Sequence, residues 1–251
     1  MSRGISGRST GIGEGVRSSL KRRAEKIEKR SGDLSGRLVT VRDPEGAPSE
    51  AYRTLRTSLL YSRVDTPPKV IVVTSHGPRE GKSTVCANLA VTLAQADKNT
   101  LLVDCNLRNP VMHKTFDVSN NRGLVDILVE DYGLPEVWHE PLPGLKVVPV
   151  GYWPPNPAEI VGSQRLAEFF AQVRQEFECV LVDTPAVGVV SDPLTLATEA
   201  DGVLLVLDAQ NTRKGAVRQA VRSLEAVGAN VLGTVMNNVK APKSQSPLRL
   251  R

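Results

Sequence analysis

Two hydrophobic rhythms alternate along the chain. The first is a set of short apolar runs: residues 69–74 (Val70, Ile71, Val72, Val73), 99–104, 145–150, 179–183, 202–208 and 231–236. Runs of this length, rich in Val, Ile and Leu and nearly free of polar alternation, predict strands buried on both faces. The second rhythm is helical. Residues 85–96 place Leu89, Ala90 and Leu93 at helical spacing, and 164–176 place Leu166, Phe169, Phe170 and Val173 on one face. Residues 123–129 and 214–227 continue the pattern. Strands alternating with helices predict an α/β fold: a mainly parallel central sheet covered by helices on both faces, a three-layer α/β/α arrangement. No apolar run approaches the ~20 residues of a membrane span, and no internal repeat is visible.

The ends of the chain follow neither rhythm. Residues 1–13 are rich in Gly, Ser and Arg and are expected to be disordered. Residues 14–30 carry Val16, Leu20, Ala24 and Ile27 as a narrow apolar stripe opposite basic residues, a face suited to anionic lipid or to a partner. The net charge of +5 is concentrated there, with nine Lys or Arg against three Glu in residues 1–31. Residues 31–49, punctuated by Gly32, Gly36, Pro44, Gly46 and Pro48, read as linker, and Ser49 reads as the cap of a helix opening at Glu50. The organisation expected is a basic arm and linker over 1–48, one α/β domain over 49–240 and a polar, disordered tail over 241–251. The first charges precede no apolar core, so no secretory leader is read. Cys86, Cys105 and Cys179 are isolated and odd in number, which argues for a reducing compartment rather than a disulfide frame or zinc site.

The candidate chemistry lies where strands end. Between the strand at 69–74 and the helix after it, residues 75–84 read Ser-His-Gly-Pro-Arg-Glu-Gly-Lys-Ser-Thr. Strand, glycine-containing turn, Gly-Lys-Ser-Thr and helix is the context of a phosphate-binding loop. Backbone N–H groups line the turn, and the helix N-terminus adds unpaired donors and a positive dipole end. His76 stands where the strict motif has its first glycine. Lys82 supplies a charge for the β/γ-phosphates and Ser83 a hydroxyl for Mg²⁺. Two further strands end in carboxylates: Asp104, followed by Asn106 and Arg108, and Asp183, followed by Thr184 and Pro185. Mg²⁺ keeps several waters and takes few protein ligands, so Ser83 with Asp183 suffices. Asp104 has two candidate roles, orienting an attacking hydroxyl or holding a metal-bound water. Taken alone, either Asp also suits a helix cap or turn.

Residues 74–90, 101–110 and 180–185 together resemble the Walker A, A′ and B motifs of the bacterial tyrosine kinases of polysaccharide synthesis, a MinD/ParA-like branch of the P-loop ATPases. Glu50-Ala51-Tyr52-Arg53-Thr54-Leu55-Arg56 is similar to that family's E-x-x-R-x-x-R oligomerisation motif. Pro154-Pro155-Asn156-Pro157, Ser191-Asp192 and residues 233–237 follow in the family's order. The resemblance implies ATP and Mg²⁺ as cofactors, with Gly77, Pro78, Arg79, Glu80, Gly81, Lys82, Ser83 and Thr84 around the phosphates and Asn237 toward the adenine. It implies metal ligation by Ser83, Asp104 and Asp183, catalysis by Lys82 and Asp104, and a ring-like homo-oligomer built through Glu50, Arg53 and Arg56. It further implies a cytoplasmic kinase at the inner face of the membrane, working with a membrane-embedded activator of the chain-length-determinant type and acting on protein tyrosines. With no spanning segment in the chain, the split form of the family is the nearer pattern.

Three departures from the family pattern stand out. Arg79 replaces a usual glycine, Asn106 replaces the second acid of Walker A′, and the tail has no tyrosine, all four tyrosines (Tyr52, Tyr61, Tyr132, Tyr152) lying upstream. Two functions follow as expectations: a protein-tyrosine kinase regulating capsular or exopolysaccharide production, or an ATP-binding switch subunit of the same machinery. Nucleic-acid binding is not expected. No aromatic interleaves the basic residues of 17–30, and the extra signature lysine of DNA-positioning relatives falls at Gly77.

Overall fold

A computed structural model of the chain describes residues 36, 38–61, 67–130 and 132–240. Its seven strands are β1 (Val70–Ser75), β2 (Thr100–Asp104), β3 (His139–Leu142), β4 (Leu145–Val148), β5 (Cys179–Asp183), β6 (Gly202–Asp208) and β7 (Val231–Asn237). They form one sheet in the order β3-β4-β2-β5-β1-β6-β7. Every pairing is parallel except β3 with β4. Strand β3 carries no apolar run and was not expected from the sequence. It lies at the edge, where Pro141 costs no ladder bond.

Strand residues divide between two cores by simple alternation. Val70, Val72, Leu101, Val103, Val180, Val182, Val203 and Leu205 face one core, and Ile71, Val73, Leu102, Leu181, Leu204 and Val206 face the other. The second core is covered by α1 (Val39–Arg42), α2 (Ala47–Leu60), α3 (Lys82–Gln95) and α4 (Met112–Thr115). The first is covered by α5 (Leu124–Val129), α6 (Leu134–Val137), α7 (Pro157–Val161), α8 (Gln164–Glu176), α9 (Asp192–Thr198) and α10 (Lys214–Ala226). The three-layer α/β/α arrangement follows, because a strand apolar at every position needs a helix layer on each side.

Three boundaries differ from the sequence reading. Helix α2 opens at Ala47 behind Gly46, with Pro48 in its first turn, where a missing N–H leaves nothing unpaired. Ser49 is buried and does not cap. Its hydroxyl donates to the carbonyls of Val39 (3.2 Å) and Asp43 (2.6 Å). Residues 38–48 therefore pack on the domain instead of linking to it. Leu38 is fully buried, and the Thr40 N–H and hydroxyl both donate to Asn88 Oδ1 at 3.1 and 2.9 Å. Helix α3 starts at Lys82, three residues earlier than its apolar pattern suggests, because the polar Lys-Ser-Thr turn forms its first turn. The three cysteines are free and buried. The basic arm (1–35) and the tail (241–251) lie outside the described residues.

Candidate active site

The carboxyl ends of β1, β2 and β5 converge because β5 lies between the other two. Asp104 is in register with Asp183 across β2 and β5, and Val73 with Asp183 across β1 and β5. In a doubly wound sheet this is where ligands bind. The loop after β5 is tied to β1: the Thr184 hydroxyl donates to the Val73 carbonyl (3.0 Å) and the Thr74 hydroxyl to the Pro185 carbonyl (2.8 Å). The His76 carbonyl accepts from the Gly188 N–H at 3.0 Å. A Cβ on Gly188 would come within 2.6 Å of that oxygen, so the contact requires glycine.

The phosphate loop runs from Ser75 to the start of α3. Lys82 and Ser83 are the first helical residues, and N–H groups at that end have no intrahelical acceptor. The turn is shaped by its own side chains. The Ser75 hydroxyl donates to the Gly77 carbonyl (2.7 Å), and the Gly77 N–H donates to Glu80 Oε2 (3.1 Å). The other Glu80 oxygen accepts from the Thr212 hydroxyl, which itself accepts from the Asp208 N–H at 2.8 Å. Glu80 is thus nearly buried, and its carboxylate is committed to holding the loop. Asn237, at the end of β7, donates through Nδ2 to the Glu80 carbonyl (3.1 Å), and a Cβ on Gly81 (φ +91°) would lie 2.0 Å from that nitrogen. The Glu80–Thr212 pair was not foreseen; a threonine 132 residues downstream gives no sequence signal.

Arg79 occupies the left-handed region, φ +62°, with its side chain exposed. That conformation costs an L-residue about 1–2 kcal/mol, against roughly 0.5–1 kcal/mol of extra chain entropy for glycine. Arg79→Gly is expected to raise stability by about 0.5–1 kcal/mol. An unchanged or lower urea midpoint would refute that strain assignment.

The two acids differ in their surroundings. Asp104 is fully buried and bonded: Oδ2 accepts from the N–H groups of Val111 (3.0 Å) and Met112 (2.9 Å), and Oδ1 from Asn106 (3.1 Å). Asp104 therefore caps α4 as well as facing the site, and one acceptor position on Oδ1 stays open. Burial pushes its pKa up to about 6, with those three N–H groups and Lys82 pulling the other way. Asp183 is equally buried, and neither carboxylate oxygen has a hydrogen-bond partner. Burial, then the Asp104 charge, push its pKa up to about 7, opposed by Lys82, by the neighbouring Ser83 hydroxyl and by the Thr184 N–H. An orphaned buried carboxylate beside a lysine and a serine hydroxyl fits a divalent cation, which would supply the missing partner.

Asn106 and Arg108 do other work. Asn106 Oδ1 accepts from the Asn109 N–H at 3.3 Å, closing a turn. Arg108 makes a two-pronged ion pair with the buried Asp192 at the start of α9, at 2.9 and 3.2 Å. Arg108→Ala would leave that carboxylate with only the helix N-terminus for compensation, so a loss of about 1–2 kcal/mol is expected in chemical denaturation. No loss would show that water replaces the guanidinium. Glu50 and Arg53 pair with each other at 2.7 Å on exposed α2, while Arg56 reaches inward to the Thr92 carbonyl at 2.8 Å. The three recur in sequence, but Arg56 is turned toward α3.

Comparison with known proteins agrees with this geometry. A family model described as ParA, NUBPL iron-transfer P-loop NTPase, matches residues 67–247. The chain is 34% identical over 215 residues to the tyrosine-protein kinase YwqD of Bacillus subtilis, covering 85% of this chain and 91% of that protein. It is 32% identical over 204 residues to the putative tyrosine-protein kinase CapB of Staphylococcus aureus, covering 81% and 90%. The crystal structure of the chimerical protein CapA2B2 superposes with a TM-score of 0.77 at 33% identity, covering 82% of this chain and 91% of that one. With the loop, the paired acids and the α2 motif in place over this span, the chain belongs to the bacterial tyrosine-kinase family, within the ParA-like P-loop NTPases.

Proposed function

We propose that this chain transfers the γ-phosphoryl group of Mg·ATP to protein tyrosine in the control of capsular or exopolysaccharide synthesis. The observation that carries the reading is the unpartnered Asp183 carboxylate, buried in register with Asp104 at the mouth of the phosphate loop. Backbone N–H groups of residues 79–84 would cradle the phosphates, and Lys82 would place its charge on the β/γ oxygens. Ser83 and Asp183 would hold Mg²⁺, with Asp104 adjacent, and the ion would supply positive charge to the phosphates. Asp104 offers the open position on Oδ1 to the acceptor hydroxyl, orienting it and receiving its proton. Burial, which raises the pKa of Asp104, favours that acceptance. Asn237, bonded to the Glu80 carbonyl of the loop, is the residue assigned to the adenine.

The assembly proposed is a homo-oligomer through α2, with Glu50 and Arg53 on the contact face and Arg56 bracing the helix against α3, working with a membrane activator of the chain-length-determinant type. Among the described residues no helix is long and apolar enough to cross a membrane. The basic residues of 1–31 supply a peripheral attraction to anionic lipid. A second reading, an ATP-driven switch without tyrosine transfer, is favoured by Asn106, an amide that can neither take a proton nor add negative charge at the site. Incubation with labelled ATP and the membrane partner separates them. Labelled phosphotyrosine supports the kinase, and ATP turnover that labels no protein supports the switch.

A further inference from the structure

We propose that Tyr152 is the tyrosine on which one copy of this chain is phosphorylated by another, an assignment that rests on the kinase reading above. With no tyrosine in 241–251, any acceptor in the chain is one of four residues. Tyr52 is half-buried on α2 against the core, and Tyr132 packs on the other core with the Arg122 guanidinium 4.4 Å from its ring centre. Both rings are engaged with their own core rather than offered to a partner. Tyr61 is 79% exposed, but it follows the C-terminus of α2 and lies close enough to Lys98 to interact with it. Lys98 precedes β2, so Tyr61 sits at the amino ends of the strands, away from the site.

Tyr152 differs on each count. It is 67% exposed, and Trp153 beside it is 56% exposed. It follows β4, whose Val148 is in register with Val103, the residue before Asp104. The chain therefore leaves β4 on the same edge of the sheet as the phosphate loop. Its approach is rigid: the Gly151 N–H donates to Asn120 Oδ1 (3.1 Å) and the Gly151 carbonyl accepts from Asn120 Nδ2 (3.0 Å). Gly151 has φ +81°, and a Cβ there would meet Asp126 Oδ2 at 2.1 Å. Pro154 and Pro155 follow, and Pro157 opens α7. Tyr152 and Trp153 thus form an exposed aromatic tip between two fixed points, at low entropic cost for insertion into a partner.

The exposed, fixed tip makes the transfer intermolecular. Strand β4 lies beside the Asp104 strand β2, but Tyr152 is 67% exposed and its backbone is held at Gly151 by Asn120, so the ring faces solvent and a neighbouring copy rather than its own phosphate loop. In a neighbour's site, Tyr152 Oη attacks the γ-phosphorus. The new O–P bond forms as the bond from γ-phosphorus to the bridging oxygen breaks, ADP leaves, and the phenolic proton passes to the neighbour's Asp104 or to water.

The test mixes a tagged full-length Lys82→Met chain with an untagged Tyr152→Phe chain, both made in the native cell so that the membrane partner is present, and maps phosphotyrosine by mass spectrometry. Phosphate at Tyr152 of the tagged chain is expected, as is loss of self-labelling to background in cells holding only Tyr152→Phe. Transfer to an added Glu-Tyr copolymer should be unchanged in Tyr152→Phe. Copolymer labelling with no phosphate at Tyr152, or with self-labelling at Tyr61 instead, overturns the proposal and leaves the kinase reading intact. If neither copolymer nor chain is labelled, the kinase reading fails and this proposal with it.

Discussion

Asp183→Asn is expected to abolish phosphoryl transfer while leaving the unliganded fold at least as stable at neutral pH. The loss of activity should reach about 10³-fold or more, because the acid proposed to hold the metal is gone. The stability effect has the unusual sign because of the burial. Asp183 sits fully buried with no hydrogen bond to either oxygen, so its charged form costs the native state free energy. Its folded pKa of about 7 lies above the unfolded carboxylate value, so between those two pH values the native state binds more protons than the unfolded state. Stability is then full below about pH 4 and falls as pH rises through about 7, by on the order of a few kcal/mol. Removing the titration should flatten that slope. The check is denaturant midpoints at pH 5 and pH 8 for both proteins, alongside turnover. A variant that is less stable at pH 8, or one that retains wild-type turnover, contradicts the assignment. In the wild type, Mg·ADP should stabilise more at pH 8 than at pH 5, because the bound cation favours the carboxylate form.

Lys82→Met is expected to cost transfer about 10³-fold, but with the opposite effect on the unliganded protein. Lys82 lowers the pKa of both buried acids, so its charge offsets part of their cost. Without it, both titrations move upward and the protein should lose on the order of 1 kcal/mol at pH 8, with little change at pH 5. The double variant with Asp183→Asn should recover most of that loss, since the charge left uncompensated has been removed. Additive losses at pH 8 would mean that Lys82 supports the fold through its stem rather than its charge. Most of the transfer defect should appear in kcat, because the lysine meets charge that develops as the γ-phosphoryl group departs.

Much of this molecule was legible in the chain. The runs Cys179–Asp183 and Gly202–Asp208 are strands at the residues read from the sequence, and Gln164–Glu176 is the helix its spacing predicts. Strands apolar at every position can only be covered on both sides, which fixes the layer count. Lys82, Ser83, Asp104 and Asp183 were legible as candidates because phosphate chemistry places few residue types at fixed offsets from strand ends. Less clear were segments whose order depends on contacts with distant residues. Strand β3 has no pattern of its own and exists by pairing with β4, and residues 38–48 look like linker until Leu38 and Thr40 meet α3. Ser49 has the right identity for a cap, but its hydroxyl closes the α1–α2 corner instead.

Hydrophobic period and motif spacing are local properties of the chain, and they set the architecture and the identity of the phosphate loop. Differences between like residues arise only in three dimensions. Asp104 and Asp183 both end apolar strands, but three backbone N–H groups hydrogen-bond to the first while both oxygens of the second lack a hydrogen-bond partner, the observation behind the cation site proposed there. Glu80 looks like a phosphate-loop side chain and is an internal brace through Thr212. Four tyrosines are equal in the sequence, and only burial and strand order single out Tyr152 at the site's edge. Hydrogen-bond saturation, burial and position on a sheet arise from residues far apart in the chain, so they exist only once it has folded.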